Sequence, residues 1–276
     1  MSGTLYIVPT PIGNRADITD RARDTLERVD FIASEDTRIG GKLLMMLGIK
    51  KPLVSYHEYS KNAVSQSIVE RILSGEDCAL ITDAGTPAVS DPGEKLVAAC
   101  SAAGITVTAL PGACAAITAL SASGLASRRF CFEGFLPENR KERSERIEEL
   151  VHEKRTFILY ISPHDTDKYL TELSEALGDR KCILAKELTK IHERYFRGTV
   201  KSVANEFSTL SAPEKKGEFV MICEGNTEED AFWSDMTVEA HFEHYISLGL
   251  SKMDACKQVA RDRGVGKGDV YKIINS

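Results

Sequence analysis

The stretch Thr82-Asp83-Ala84-Gly85-Thr86-Pro87-Ala88-Val89-Ser90-Asp91-Pro92-Gly93 carries two carboxylates, two prolines and two glycines, and neither lysine nor arginine. Proline fixes φ, and glycine lets a ligand approach the backbone closely. A phosphate-rich ligand would call for a cation or a glycine-rich helix start. The stretch therefore suits a neutral or cationic ligand, such as a nucleoside bearing a positive centre. Two further Pro/Gly segments, Pro9-Thr10-Pro11-Ile12-Gly13-Asn14 and Leu110-Pro111-Gly112-Ala113-Cys114-Ala115, also lack lysine and arginine. Candidate acid–base or polarising groups are Glu35, Asp36, His57 and Lys186. Plainer roles stand beside each: helix capping for Glu35 and Asp36, a surface loop for His57, and pairing with Glu187 for Lys186. Cys114 follows a Pro-Gly turn at a helix start, a placement that could make a cysteine nucleophile with His57 as base. Ala116, however, stands where a nucleophile elbow needs glycine.

These segments need elements to position them. Apolar runs at Thr4–Val8, Asp30–Ala33, Leu53–Tyr56, Cys78–Ile81 and Ile105–Leu110 predict five strands. Between them, helical periodicity predicts helices over Thr19–Val29, Ile39–Leu47 (closed by Gly48), Asn62–Leu73 and Glu94–Ala103. Strict βα alternation implies a parallel sheet covered on both faces, with the three Pro/Gly loops at one edge, where open α/β sheets bind ligands. Helices are expected over Ala113–Ser123 and Arg140–Lys154, with the segment Phe130–Pro137 between them, and strands at Thr156–Ile161, Lys181–Lys186, Glu193–Arg197 and Glu218–Cys223. Glu193–Arg197 fits an antiparallel pairing, so this second domain reads as mixed α/β. The division expected is 1–112, 113–225 and, after an acidic linker at Asn226–Asp235, a helical tail over 236–276.

The chain has 276 residues, 42% hydrophobic and 28% charged, a soluble globular composition for one large or two medium α/β domains. No apolar run suits a membrane span, and the first strand begins so early that no signal peptide is expected. Seven cysteines, mostly in apolar runs and with no C-x-x-C pair, fit a reducing cytoplasm and argue against structural zinc. His241 and His244, with Glu239 and Glu243, have a metal-ligand spacing but read as a solvated helix face. With a net charge of −6, any nucleic-acid surface must be local. The candidates are Arg128, Arg129, Arg140, Lys141 and Arg143, although the charged helix that carries the last three also reads as a solvent face. The tail is a second candidate. From Tyr245 to Ser276 it holds six Lys/Arg against three Asp, a net +3, and Ala260, Gly264 and Val270 have helix-turn-helix spacing. Walker A is absent, and Gly264-Val265-Gly266-Lys267-Gly268 lacks both the preceding strand and the Ser/Thr that a phosphate loop needs.

Tyr6–Asn14, Ser34-Glu35-Asp36-Thr37-Arg38, Thr82–Gly93, Pro111–Leu120 and Phe132-Glu133-Gly134-Phe135-Leu136-Pro137 together resemble the tetrapyrrole methylase superfamily. Within it the chain is similar to the ribosomal RNA small subunit methyltransferase I family, as are Lys186–Lys190 and Lys216–Val220. The resemblance implies two α/β domains with S-adenosylmethionine between them, a homodimer, and 2′-O-methylation of a cytidine in small-subunit (16S) rRNA or the 30S subunit. It places the donor against Ile12, Ala84, Gly85, Thr86, Val89, Cys114, Ala115, Ile161 and Leu188, and Pro11 and Asp83 of the same loops are expected to join them. RNA contacts are expected at Arg38, Arg128, Arg129, Lys141 and Lys267. The chain departs from the family pattern at Ile161 (usually acidic), Asp165 (usually arginine) and Ala113 (usually proline). A tetrapyrrole C-methyltransferase of the same fold, a cysteine hydrolase using Cys114 and a non-catalytic ribosome-binding factor are the competing readings.

Overall fold

The computed structural model describes residues 2–57, 62–227, 233 and 236–274. Residues 1–225 and 226–276 are two separate compact units. Most of the acidic linker expected at Asn226–Asp235 lies outside the described residues.

The first unit opens with five parallel strands: β1 (Thr4–Ile7), β2 (Phe31–Ser34), β3 (Leu53–Ser55), β4 (Cys78–Ile81) and β5 (Thr106–Ala109). Their order across the sheet is β3-β2-β4-β1-β5. Side chains along a strand alternate between faces. Leu5, Ile7, Phe31, Ala33, Cys78 and Leu80 thus enter one core, with Ile68 and Ile72 of α3 (Asn62–Leu73) and Leu96 and Cys100 of α4 (Glu94–Ala102). Ile32, Ala79 and Ile81 enter the other, with Ala22 and Leu26 of α1 (Asp20–Arg28) and Leu44 of α2 (Thr37–Leu47). Both faces are covered, as the unbroken apolar strands require.

Helix α5 (Ala115–Ser123) leads to a second sheet of β6 (Phe130–Phe135), β7 (Thr156–Ile161), β8 (Lys181–Lys186), β9 (Arg194–Thr199) and β10 (Phe219–Cys223). Its order is β6-β7-β10-β8-β9, with β6 parallel to β7 and the other pairings antiparallel. One face packs on α6 (Arg140–His152), α7 (Thr166–Leu177) and α8 (Val200–Ser208) through residues such as Leu159, Leu184 and Met221. The other buries Ile158, Ala185 and Ile222 against Ala116, Ala119 and Leu120 of α5 and against Ile12 from the loop after β1. The second sheet therefore shares this core with α5 and with the loop after β1. Arg197 of β9 donates to the Ala122 and Ser123 carbonyls at 2.8 and 3.2 Å, satisfying the C-terminal end of α5.

Helices α7 and α8 are additions to the sequence expectation. Tyr169, Leu170, Leu173 and Leu177 make the buried stripe of α7, and a Thr199–Ser202 capping box starts α8. The purely solvated reading of α6 is corrected at Arg143. Its side chain is 1% exposed and bonds Glu172 at 2.6 and 3.1 Å and the Pro137 and Glu138 carbonyls at 3.0 and 2.8 Å. Buried and fully partnered, Arg143 is removed from the candidate RNA patch.

In the second unit, α9 (Val238–Ser247), α10 (Lys252–Arg263) and α11 (Lys267–Ile274) enclose Phe242, Ala255, Cys256, Val259 and Val270. Ser251 caps α10, and Gly264 closes it before α11. His241 corrects the expectation of a solvated histidine face, because it is fully buried. It stacks on Trp233 at 5.4 Å, accepts at Nδ1 from Arg263 Nε at 3.1 Å and lies 3.3 Å from Asp262.

Two stability predictions follow from these buried polar groups. Arg143→Ala leaves Glu172 and two carbonyls without their donor and should lower stability by about 2–4 kcal/mol in urea unfolding. Burial, then the Arg263 charge, holds the His241 imidazole below its ordinary value, with Asp262 only partly opposing. The unfolded chain therefore binds the proton more readily, so this stability is present above about pH 6.5 and falls as the pH drops below it. Fluorescence of Trp233, the chain's single tryptophan, should report an earlier urea midpoint in acid, and His241→Phe should remove that dependence.

Candidate active site

In the first sheet β4 and β1 are neighbours, yet the chain leaves β1 toward β2 on one side and β4 toward β5 on the other. A crevice opens at such a switch of direction. The loops that follow β1 and β4 are joined across it: Thr10 N–H donates to Gly85 O at 2.9 Å, and Gly85 N–H to Thr10 O at 3.0 Å. The Thr10 hydroxyl donates to the Thr82 carbonyl at 3.2 Å, and the Thr86 hydroxyl to the Ala113 carbonyl at 2.9 Å. All three Pro/Gly loops thus meet at one sheet edge.

They wall a cavity of about 410 Å³. Asp83, Ala84, Gly85, Thr86 and Val89 line it from the loop after β4, Ile12 from the loop after β1, and Cys114 and Ala115 from the start of α5. Ile161 and Leu188 close it from the second sheet. Pro11, half-buried beside Ile12, is not among the lining residues. Of the departures from the family pattern, Ile161 lines the cavity, Ala113 supplies the carbonyl that holds Thr86, and Asp165 stands at the N-cap of α7 without a side-chain capping bond.

Backbone strain is concentrated here. Among the described residues, the four non-glycine residues with positive φ are Ala88, Ser90, Glu187 and Thr189. The first two hold the turn that carries Val89, and the second two flank Leu188. Such conformations cost about 1–3 kcal/mol each and persist where the surroundings enforce them. Thr189 Oγ1 accepts from the Asn14 N–H at 3.0 Å, and the Glu187 carboxylate accepts from Glu218 N–H at 2.8 Å and from Lys190 at 2.9 Å. Gly134 creates a bulge in β6 at φ 65°, and a Cβ there would lie 2.9 Å from Ser90 Oγ. The second sheet thus presses directly on the turn.

Charge in the cavity is one-sided. Glu35, Asp83, Asp91 and Glu218 line it, and no Lys or Arg is among the described lining residues. Glu35 accepts from the Thr82 hydroxyl at 2.6 Å, and Asp83 from the Asp36 N–H at 3.2 Å. Burial, then Glu35, raises the Asp83 carboxyl. The same causes in the same order push Asp91 up to about 6. Tyr160 accepts from the Ala116 N–H at 3.3 Å, packs edge-on against Phe132 and Phe135, and is pushed up to about 12, chiefly by burial.

The acid–base candidates separate. Glu35 lines the cavity. Asp36 caps α2 and chelates Arg38 at 2.5–3.1 Å, and hydrogen bonds from that arginine hold its carboxyl down at about 2. The capping role is the one Asp36 fills. Lys186 donates to the Glu214 carbonyl and is not among the lining residues. His57 lines a smaller neighbouring cavity, whereas Cys114 lines the larger one. Arg128, Arg129, Lys141 and Lys267 are exposed, and the exposed Arg38 is held by Asp36. Sequence reading did not assign a role to Asp91, Ser90, Tyr160, Phe135, Phe219 or Val220. Of these, only Asp91 carried a signal: it is a carboxylate in a loop expected to bind a ligand.

The family model for tetrapyrrole (corrin/porphyrin) methylases matches residues 4–204. Among curated proteins, the ribosomal RNA small subunit methyltransferase I of Halalkalibacterium halodurans is 45% identical over 99% of this chain and 95% of its own. That of Bacillus subtilis is 44% identical over 98% and 93%. Among solved structures, a cobalt precorrin-4 methyltransferase aligns with TM-score 0.59 at 18% identity, covering 80% of this chain and 94% of that one. A uroporphyrin-III C-methyltransferase from Thermus thermophilus, solved with S-adenosylhomocysteine, aligns with TM-score 0.54 at 15% identity, covering 80% and 97%. The strand-end crevice, the two sheets and these likenesses agree: the chain belongs to the tetrapyrrole methylase family and, within it, to the ribosomal RNA small subunit methyltransferases I.

Proposed function

We propose that the chain transfers the methyl group of S-adenosylmethionine to the 2′-hydroxyl of a cytidine ribose in small-subunit rRNA. The observation that carries this reading is a cavity at the sheet switch point walled by carboxylates, carbonyls and apolar side chains, with no lysine or arginine among its described lining residues. A sulfonium cation fits such a wall, and a phosphate does not. Ile12, Val89, Ile161 and Leu188 offer apolar contact to a nucleoside, and the strained turn at Ala88–Ser90 fixes one wall before any ligand arrives. The donor supplies an electrophilic methyl carbon and a neutral thioether leaving group. The protein's part is to hold the acceptor oxygen in line with that carbon and to exclude water.

RNA contact is assigned to the exposed Arg128, Arg129, Lys141 and Lys267, with Arg38 beside the cavity loop. In a chain of net charge −6 these sites are local, so binding to small subunits should weaken steeply with salt. The ribosomal substrate and the seven free cysteines favour the cytoplasm, and the family likeness favours a homodimer. Among the described residues no helix is long and apolar enough to cross a membrane.

Calorimetric titration with S-adenosylmethionine tests the donor site. Wild type should bind in the micromolar range, a ΔG of about −8 kcal/mol. Thr86→Trp, which fills the cavity and breaks the bond to Ala113, should abolish the heat signal while leaving the fold intact by circular dichroism. Wild type without measurable binding would overturn the reading.

A further inference from the structure

The apolar side chains around the larger cavity lie at two depths. Ile12, Ile161, Leu188, Phe219 and Val220 are 2–9% exposed and make its floor, whereas Phe135 is 56% exposed and Val89 40%. Phe135 reaches the rim through a local device. In an unbroken β6, Phe132 and Gly134 would share the face turned toward α5, and Phe135 would point the other way. One extra residue, Glu133, reverses this: Phe132 pairs with Ile158 and Phe135 with Tyr160, two residues of that inner face. Gly134 permits the bulge at φ 65°. Tyr160, which accepts from the Ala116 N–H, supports the Phe135 ring edge-on at 5.4 Å and 62°. The next residue, Leu136, enters the core on the helical face. Exposure of Phe135 therefore comes from its register and not from a lack of core to enter.

What such a ring can hold follows from the charge around it. Carboxylates line the same cavity, with no Lys or Arg among the described lining residues. They repel phosphate, so an RNA backbone stays outside, and the part that can come to the rim is an uncharged base and ribose turned out of the strand. Bases turned out of RNA are held on aromatic faces. We propose that Phe135 is the platform on which the base of the acceptor nucleotide stacks, holding its ribose hydroxyl at the mouth of the donor site. This rests on the methyltransferase reading above. Phe135 takes no part in bond making; it is a positioning residue, and what it contributes is a π face fixed at the rim.

Geometry selects Phe135 over its neighbours. Of the other aromatic residues that line the cavity, Phe219 is buried in the floor, and Tyr160 is half-buried behind Phe132 and Phe135. Val89 shares the rim but has no π face. The donor's adenosine has the buried side chains of the floor to contact, and the exposed ring meets what arrives from solvent.

The test measures donor binding by calorimetry and methyl transfer to small subunits for wild type, Phe135→Ala, Phe135→Leu and Phe135→Tyr. Alanine and leucine should leave S-adenosylmethionine affinity and the urea midpoint at their wild-type values, because the ring is exposed. They should lower kcat/KM for subunits about 10–100-fold, the scale of one base–aromatic stack. Tyrosine should restore the wild-type value. Leucine keeps the apolar character without the π face, so a leucine enzyme as active as wild type overturns the proposal, as does an alanine enzyme with unchanged kcat/KM or a tyrosine enzyme as impaired as alanine. Loss of donor affinity in step with rate also overturns it, because the ring would then serve the donor. Wild type that binds no donor or methylates no subunit removes the methyltransferase reading itself, whereas an active wild type indifferent to the alanine change removes only the role of Phe135.

Discussion

Two backbone hydrogen bonds between Thr10 and Gly85 hold together loops that the sheet topology sends in opposite directions. Everything at the site refers back to that junction. It fixes Ile12, which belongs to the core under the second sheet, relative to Ala84–Thr86, which belong to the first. Thr86 then carries the constraint to the start of α5 through the Ala113 carbonyl. Without the junction, the loops would be three independent turns on a sheet edge.

The second sheet takes part as a press. Its bulge at Gly134 bears on Ser90, and its loop after β8 reaches Asn14 through Thr189. Four non-glycine residues are held at positive φ in these two facing loops, a cost the surrounding hydrogen bonds and packing must offset. Cavity shape is thereby set by the folded scaffold and not by the ligand, an arrangement that favours a reaction dependent on alignment.

Much of this was legible in the residues. The short apolar runs, the capping reading of Asp36, and the glycines Gly48 and Gly264 located elements of the first sheet and the turn in the tail. The Pro/Gly loops declared the site because parallel strands must place their ends together. Helices α7 and α8 escaped because charged and polar residues interrupt their apolar stripes, although Gly178 closes α7. Burial of Arg143 and His241 was illegible for a different reason. Their partners, Glu172 and the Pro137 carbonyl in one case and Trp233 and Arg263 in the other, become neighbours only after the helices pack. Phe135 lay in plain view, but the face it takes is set by the bulge in β6, a property of the strand's register and not of its composition.

The one-sided charge of the larger cavity also bears on turnover. In the proposed donor site, carboxylates that attract a sulfonium would lose that attraction the moment sulfur becomes a neutral thioether, while every apolar contact would remain. The spent donor is thus distinguished from the fresh one by a single unit of charge at a single atom. Exchange of one for the other can then proceed without any rearrangement of a loop whose backbone strain leaves it little freedom to rearrange.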